Sequence, residues 1–412
     1  MKINHIVHRL RETRVLENYS FMTALSIFSA LIGLIIYPYV IRVTGKEAYG
    51  TYVYALTIAS FFQILLDFGF LSPCAKAIVQ ARNDIREQCR IVTSVLVSKA
   101  VFLLLCSVLF IAGVAFIPFM RTNWLLCLLC YIQVIGSSFF PSWYFQGLKK
   151  MKVVTYINLC LRLATIPFIL LFVHSARDIG VYALIVMVSI VSGTIIAYSC
   201  LVFDGIRLRR ISFERVRVLI TDCTPFFATA ITCELKSLTT KTIIKQFFGV
   251  GEVAIYDFAE KIVNIARLFT QNINDALFPE VVDNAPKQRV HKILRYERII
   301  GLAFCALVIL FSYPATLILG GKEMMNAVSV MIIFSVTIYT SLIAGAYINF
   351  VFIPSHRYYL IAINQLIALV SCVLISLVGL LVWRDVNVIA FGLALSGFVE
   401  IVFCRYLAKK IA

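Results

Sequence analysis

Charge is what this 412-residue sequence has least of: Asp, Glu, Lys and Arg make up 14% of it, against 61% hydrophobic residues. Soluble domains carry about 25% charged and roughly 45–50% apolar residues, so a soluble fold is excluded. Histidine is scarce as well. The five, His5, His8, His174, His291 and His356, lie at the ends of apolar runs or between them, which leaves no His-centred acid–base constellation within those runs. A glycine-rich phosphate loop of the Walker type is absent, so the chain lacks that route to ATP hydrolysis. The loops assigned below to the outer side are short, and a transfer enzyme would need more there to hold two substrates.

Cysteine is not lacking, with 12 residues, but they are scattered through apolar runs, as at Cys106, Cys160, Cys233, Cys305 and Cys372. That distribution is one of buried thiols rather than of a disulfide framework. Cys127 and Cys130 have zinc-like spacing without a nearby His or second Cys pair, so no metal is expected, and no cofactor.

What the sequence does hold is apolar runs of about 20 residues, each enough to cross roughly 30 Å of hydrocarbon. They recur along the whole length, which a cleaved leader cannot explain. Hydropathy places spans near 19–41, 52–75, 91–117, 122–145, 154–174, 178–203, 219–244, 251–275, 299–320, 327–353, 358–382 and 386–404. The expectation is an all-α polytopic membrane protein of twelve helices. Most of the 38 Lys and Arg fall in alternate loops, with Arg207, Arg209, Arg210, Arg215 and Arg217 in the densest group. Cytoplasmic loops retain such residues, so both termini are expected in the cytoplasm. The net charge of +17 then suits an anionic inner leaflet and requires no nucleic acid.

The basic loop at 203–218 divides the chain into six-helix halves, 1–210 and 211–412. The turn from Gly45 to Ala55 and the turn from Gly249 to Ala259 keep Gly, Tyr and Ala at one spacing, 204 positions apart. Six helices is an even number, so both halves enter from the same side. The expected symmetry is a pseudo-twofold axis along the membrane normal, with substrate bound between the halves.

An ionisable residue within a span costs about 2.5–3.5 kcal/mol on insertion scales and ordinarily faces a cavity or a partner. The span at 251–275 carries Asp257, Lys261, Asn264, Arg267, Gln271 and Asn274 in steps of three and four, which puts them on one helix face. Glu260 and Asp275 flank that stripe, and the preceding span adds Glu234, Lys236, Ser237 and Lys241. The 204-residue offset maps Ser60, Gln63 and Asp67 onto Asn264, Arg267 and Gln271. Lys99 and Arg162 are two further cations inside spans. The cavity reading makes Arg267, Lys241, Arg162, Lys99, Lys236 and Lys261 the substrate-binding cations. Glu234, Asp257, Asp67 and Glu260 become ion-coupling or ion-pair acids, with Gln63, Asn264, Gln271 and Asn274 as polar lining. The competing reading is local ion pairing, Lys241 with Glu234 or Lys261 with Asp257. Arg and Lys suit an anionic group such as a phosphate.

Three stretches carry a resemblance: Tyr37-Pro38-Tyr39-Val40-Ile41-Arg42-Val43-Thr44-Gly45-Lys46-Glu47-Ala48-Tyr49-Gly50-Thr51-Tyr52, Asp67-Phe68-Gly69-Phe70, and Phe140-Pro141-Ser142-Trp143-Tyr144-Phe145-Gln146-Gly147-Leu148-Lys149. With them the chain resembles the polysaccharide transport family of the multidrug, oligosaccharidyl-lipid and polysaccharide exporter superfamily, and within it the O-antigen unit flippases. The resemblance implies two six-helix lobes in a V around a cationic cavity and alternating access driven by a proton or sodium gradient. It further implies that an undecaprenyl-pyrophosphate-linked oligosaccharide moves from the cytoplasmic to the periplasmic leaflet of a bacterial inner membrane, in the company of other O-antigen assembly proteins. The alternatives are a multidrug or cation antiporter of the same superfamily, whose cavity would be net negative, and a membrane-embedded polysaccharide polymerase.

Overall fold

The computed structural model describes residues 36–282, 287–352 and 358–411. Every secondary-structure element among them is helical: α1 (36–67), α2 (Leu71–Gln80), α3 (Ile85–Phe116), α4 (Pro118–Thr122), α5 (Trp124–Phe139), α6 (Ser142–Gly147), α7 (Met151–Phe172), α8 (Ile179–Phe203), α9 (Phe213–Phe248), α10 (Val250–Val282), α11 (Lys287–Ala315), α12 (Ala327–Tyr347), α13 (Tyr358–Val382) and α14 (Val386–Ile411), with π-helical turns at Thr316–Gly320 and Ile348–Phe352. Hydrocarbon offers no partner for a backbone N–H or C=O, so an apolar run long enough to cross must satisfy them internally as a helix.

Of the twelve expected spans, nine segments among the described residues are long and apolar enough to cross a membrane. A tenth is α9, which bends by 44° between Phe213–Ala228 and Ala230–Phe248, with Pro225 one turn before the break. The expected span at 251–275 is present as the 33-residue α10, and its polar stripe is what keeps it out of the apolar set. The first expected span, 19–41, lies mostly outside the described residues.

Local chemistry sets the helix ends. Asp84 caps α3, its carboxylate accepting the Arg86 and Glu87 N–H groups at 2.9 and 3.1 Å; such caps satisfy donors with no intrahelical partner. The Asp67-Phe68-Gly69 motif ends α1, with Phe68 at φ 38° and Gly69 at φ 71°. The uncommon Phe68 backbone is held by its ring, which stacks on Phe102 and Phe227 with centroids 4.7 and 4.4 Å away. Pro141 separates α5 from the short α6, which packs on α2. Gly45 and Gly249, the pair related by the 204-residue offset, both take positive φ, at 74° and 92°, but only Gly249 separates two helices; the expected turn at Gly45–Ala55 is helical, within α1.

The helices after residue 212 pack mainly on one another, α12 against α10, α11 and α14, and α13 against α9 and α14. Those before it do likewise, α8 against α5 and α7. Contacts between the two sets include α3 with α9 and the start of α10 with the middle of α1, where Gly50 approaches the Val250 carbonyl so closely that a Cβ would collide with it.

Candidate functional site

The backbone of α1, α5, α7, α8, α9 and α10 frames a cavity of about 600 Å³. Its polar wall joins Arg162 of α7, Glu234 and Lys241 of α9, and Asp257 and Lys261 of α10. A second cavity of about 660 Å³ adjoins it, lined by Gln63, Asp67, Lys99 and Trp143 among others. Both share Ser60, Ser137, Phe140, Ser142 and Glu234, so they form one polar passage with Glu234 at the junction. Four cations, Arg162, Lys241, Lys261 and Lys99, face three carboxylates, Glu234, Asp257 and Asp67.

At one end of the passage the charges are locked together. Lys241 Nζ stands 2.9 Å from Asp257 Oδ1 and 3.1 Å from Glu260 Oε2, and Lys261 Nζ stands 2.6 Å from Asp257 Oδ2. The helical spacing of Asp257, Glu260 and Lys261 presents all three to α9. Lys261 also donates to the Tyr49 hydroxyl at 2.7 Å and lies over the Tyr37 ring, 4.1 Å from its centroid. The expected Lys261 pairing with Asp257 is therefore present, whereas Lys241 binds Asp257 and Glu260 in place of Glu234. A buried pair of this kind is worth holding only when hydrogen bonds saturate it, and the Asp257 carboxylate has three donors around it, the third being the Tyr49 hydroxyl at 3.5 Å.

In the second cavity Lys99 Nζ stands 3.1 Å from Asp67 Oδ1 and also donates to the Ser138 carbonyl. Gln63 donates to the Ser137 hydroxyl at 3.3 Å. Glu234 differs from the other acids: among the described residues it makes no ion pair or hydrogen bond, although the charge of Lys241 acts on it.

The remaining members of the predicted set lie elsewhere. Arg267 lines neither cavity; its Nη1 donates to Asn264 Oδ1 at 3.1 Å, and its Nε is buried without a partner. Asn274 is buried and donates to the Leu342 carbonyl at 3.2 Å. Gln271 is exposed. Lys236 acts electrostatically on Glu400, which accepts from Asn364 and Gln365 at 2.9 and 3.0 Å. The stripe on α10 thus splits because the helix is enclosed on several sides, its Asp257 end facing the passage and its Asn274 end facing α12. Sequence reasoning missed Tyr49, Tyr182, Gln133 and Asn158, of which Tyr182, Gln133 and Asn158 line the first cavity. Tyr182, Gln133 and Asn158 signalled only polarity inside apolar spans, whereas Tyr49 lay between two expected spans, in the Tyr37–Tyr52 stretch that carries the resemblance. Among the described residues no cluster of His, Cys, Asp or Glu could hold a metal ion.

Beyond Tyr37 and Lys261 the two sets of helices meet. Arg42 donates to the Ile318 carbonyl and, at 3.4 Å, to the Leu317 carbonyl, while a Cβ on Gly251 would collide with the Glu47 carboxylate.

A family model described as polysaccharide biosynthesis protein matches residues 15–285. Two relatives carry the name "Putative O-antigen transporter". One, from Escherichia coli (strain K12), is 24% identical over 74% of this chain and 75% of its own. The other, from Shigella dysenteriae, is 24% identical over 71% and 74%. Among solved structures, an inward-facing multidrug resistance MATE family transporter of the MOP superfamily superposes with TM-score 0.71 at 12% identity, covering 93% of this chain and 95% of that one. The lipid II flippase MurJ in an inward closed conformation superposes with TM-score 0.68 at 13% identity, covering 94% and 87%. These likenesses show a MATE-like fold in a multi-pass membrane protein.

Proposed function

Given that this chain belongs to the polysaccharide biosynthesis protein family, we propose that it flips an undecaprenyl-pyrophosphate-linked oligosaccharide, the O-antigen unit, from the cytoplasmic to the periplasmic leaflet. The observation that carries the reading is the joined passage, bounded by helices of both halves, with Arg162, Lys241 and Lys261 on its wall. Cavities of about 600 and 660 Å³ each match the size that encloses a drug-sized ligand, and together they suit a head group of several sugars. Guanidinium and ammonium groups suit pyrophosphate oxygens. The antiporter alternative calls for a net negative cavity, whereas four cations here meet three lining carboxylates, or four with Glu260, which pairs with Lys241. In vesicles holding the purified protein and the fluorescent lipid-linked oligosaccharide, the fraction of head groups reachable from outside should rise with protein; transport of organic cations without that rise would favour the antiporter.

The two halves act in this reading as lobes, 1–210 and 211–412, that rock about the passage. The Lys and Arg distribution supports placing the end where Arg42 meets the Ile318 carbonyl at the periplasm, and both termini in the cytoplasm of a bacterial inner membrane. Reporter fusions at Arg210 and at the C-terminus should both read as cytoplasmic, and a periplasmic signal from either refutes that topology. Gly50→Val should hold α1 off the Val250 carbonyl. A cysteine placed at Thr57 in a cysteine-free background should then react faster with an impermeant maleimide from the periplasmic side, with transport lost.

Transport is coupled to an ion gradient in the same proposal. Asp257 is clamped between two lysines, whereas Glu234 stands open where the cavities meet, so Glu234 is the acid placed to exchange the ion. Glu234→Gln should abolish the response to the gradient while leaving protein in the membrane, measured in the same vesicles with the gradient imposed and collapsed.

A further inference from the structure

Away from the passage, in the interface of α10, α11 and α12, lies an acid that no expected span was drawn to hold. Glu297 of α11 is 1% exposed, and neither carboxylate oxygen has a hydrogen-bond partner. A buried ionised carboxylate without partners is far costlier than a neutral one. Leu294, Glu297 and Gly301 follow at three and four residues and so share a helix face. Leu294 packs with Ala346 and Phe350, and Gly301 abuts Tyr339 and Leu342. Asn274 of α10 reaches the same stretch of α12, donating to the Leu342 carbonyl and lying against Gly345. Its own side-chain oxygen is buried and unsatisfied. Three oxygens without donors thus face one short stretch of α12.

We propose that Glu297 is a proton-binding site: its carboxyl carries an exchangeable proton while the three helices are packed as here, and gives it up when they separate. Binding forms one O–H bond on a carboxylate oxygen and removes the charge; release returns the proton to water and restores it. A proton fits better than sodium because it needs a single acceptor, whereas a sodium ion would need a fuller oxygen shell than the two Glu297 oxygens and Asn274 Oδ1. Among the described residues the groups that could interfere are few. From α12 they are the tyrosines Tyr339 and Tyr347, and from α10 they are Asn274 and, further along, Arg267, which is engaged with Asn264. On α11 itself Arg295 and Arg298 are exposed and point elsewhere. Among the described residues no charged group is near enough to act on Glu297.

Any role of this proton in driving transport rests on the flippase reading, but its presence does not. Infrared difference spectra of the detergent-purified protein at neutral pH should show a protonated carboxyl band that Glu297→Gln removes. Glu297→Gln should also leave the amount of folded protein unchanged, since the side chain it replaces is already uncharged. Absence of the band, or loss of folded protein in Glu297→Gln, overturns the proposal. So does a wild-type band that disappears on addition of sodium chloride at constant pH, which would assign the site to sodium. If wild-type protein moves no lipid-linked oligosaccharide while the band is present, the flippase reading fails and the proton site stands.

Discussion

Asp257→Asn should remove most of the folded protein from the membrane. The substitution leaves Lys261 without its acid and Lys241 with Glu260 alone, in a site where Asp257 is only 5% exposed. Breaking a buried pair by removing one partner costs about 3–5 kcal/mol, because the other charge stays behind uncompensated. That is a large share of the roughly 5–15 kcal/mol that holds a typical domain folded. Combining Asp257→Asn with Lys261→Met removes the surplus cation, and the double variant should recover folded protein, measured as the monodisperse fraction in detergent and its melting temperature. A single variant as abundant and heat-stable as wild type would show that the cluster does not hold the helices together.

Arg162→Ala should do the opposite, leaving the protein in place and abolishing the surface polysaccharide. Arg162 is exposed on the cavity wall, so its truncation opens no hole in the packed helices, and surface positions of this kind ordinarily shift stability by less than about 0.5 kcal/mol. Its planar fork is the group best shaped for a pair of phosphate oxygens, and Arg162→Lys, which keeps the charge without the fork, should restore only part of the function. Arg267→Ala is the contrasting case. Arg267 is half-buried, with its Nε enclosed and its Nη1 bonded to Asn264, so its loss should appear first as less protein. Polysaccharide in a flippase-deleted strain, measured beside membrane protein level, separates the two; full polysaccharide from Arg162→Ala would remove Arg162 from the substrate contact.

The stripe of Asp257, Lys261, Asn264, Arg267, Gln271 and Asn274 shows how far sequence reasoning reaches. Helical periodicity placed these residues on one face, and the helix is there. Which neighbour each meets depends on how α1, α9 and α12 surround α10, and nothing in the 3.6-residue period encodes that. Hence Lys241 pairs with Asp257 and Glu260 rather than with Glu234, and Arg267 lies apart from the cavity that holds Arg162. Glu297 escaped notice because it sits beside Arg295 and Arg298 in a stretch that hydropathy assigns to a loop.

By itself the sequence determined the membrane class, the helical architecture and the polar character of the helices at 213–282. Apolar length, turn chemistry and the cost of charge in hydrocarbon are local quantities, summed along the chain. Only the tertiary structure decided which ions close on one another, where the two cavities join, and that Glu234 stands open while Asp257 is clamped. Those outcomes depend on side chains brought together from helices far apart in the chain, within a few ångströms that no linear spacing specifies.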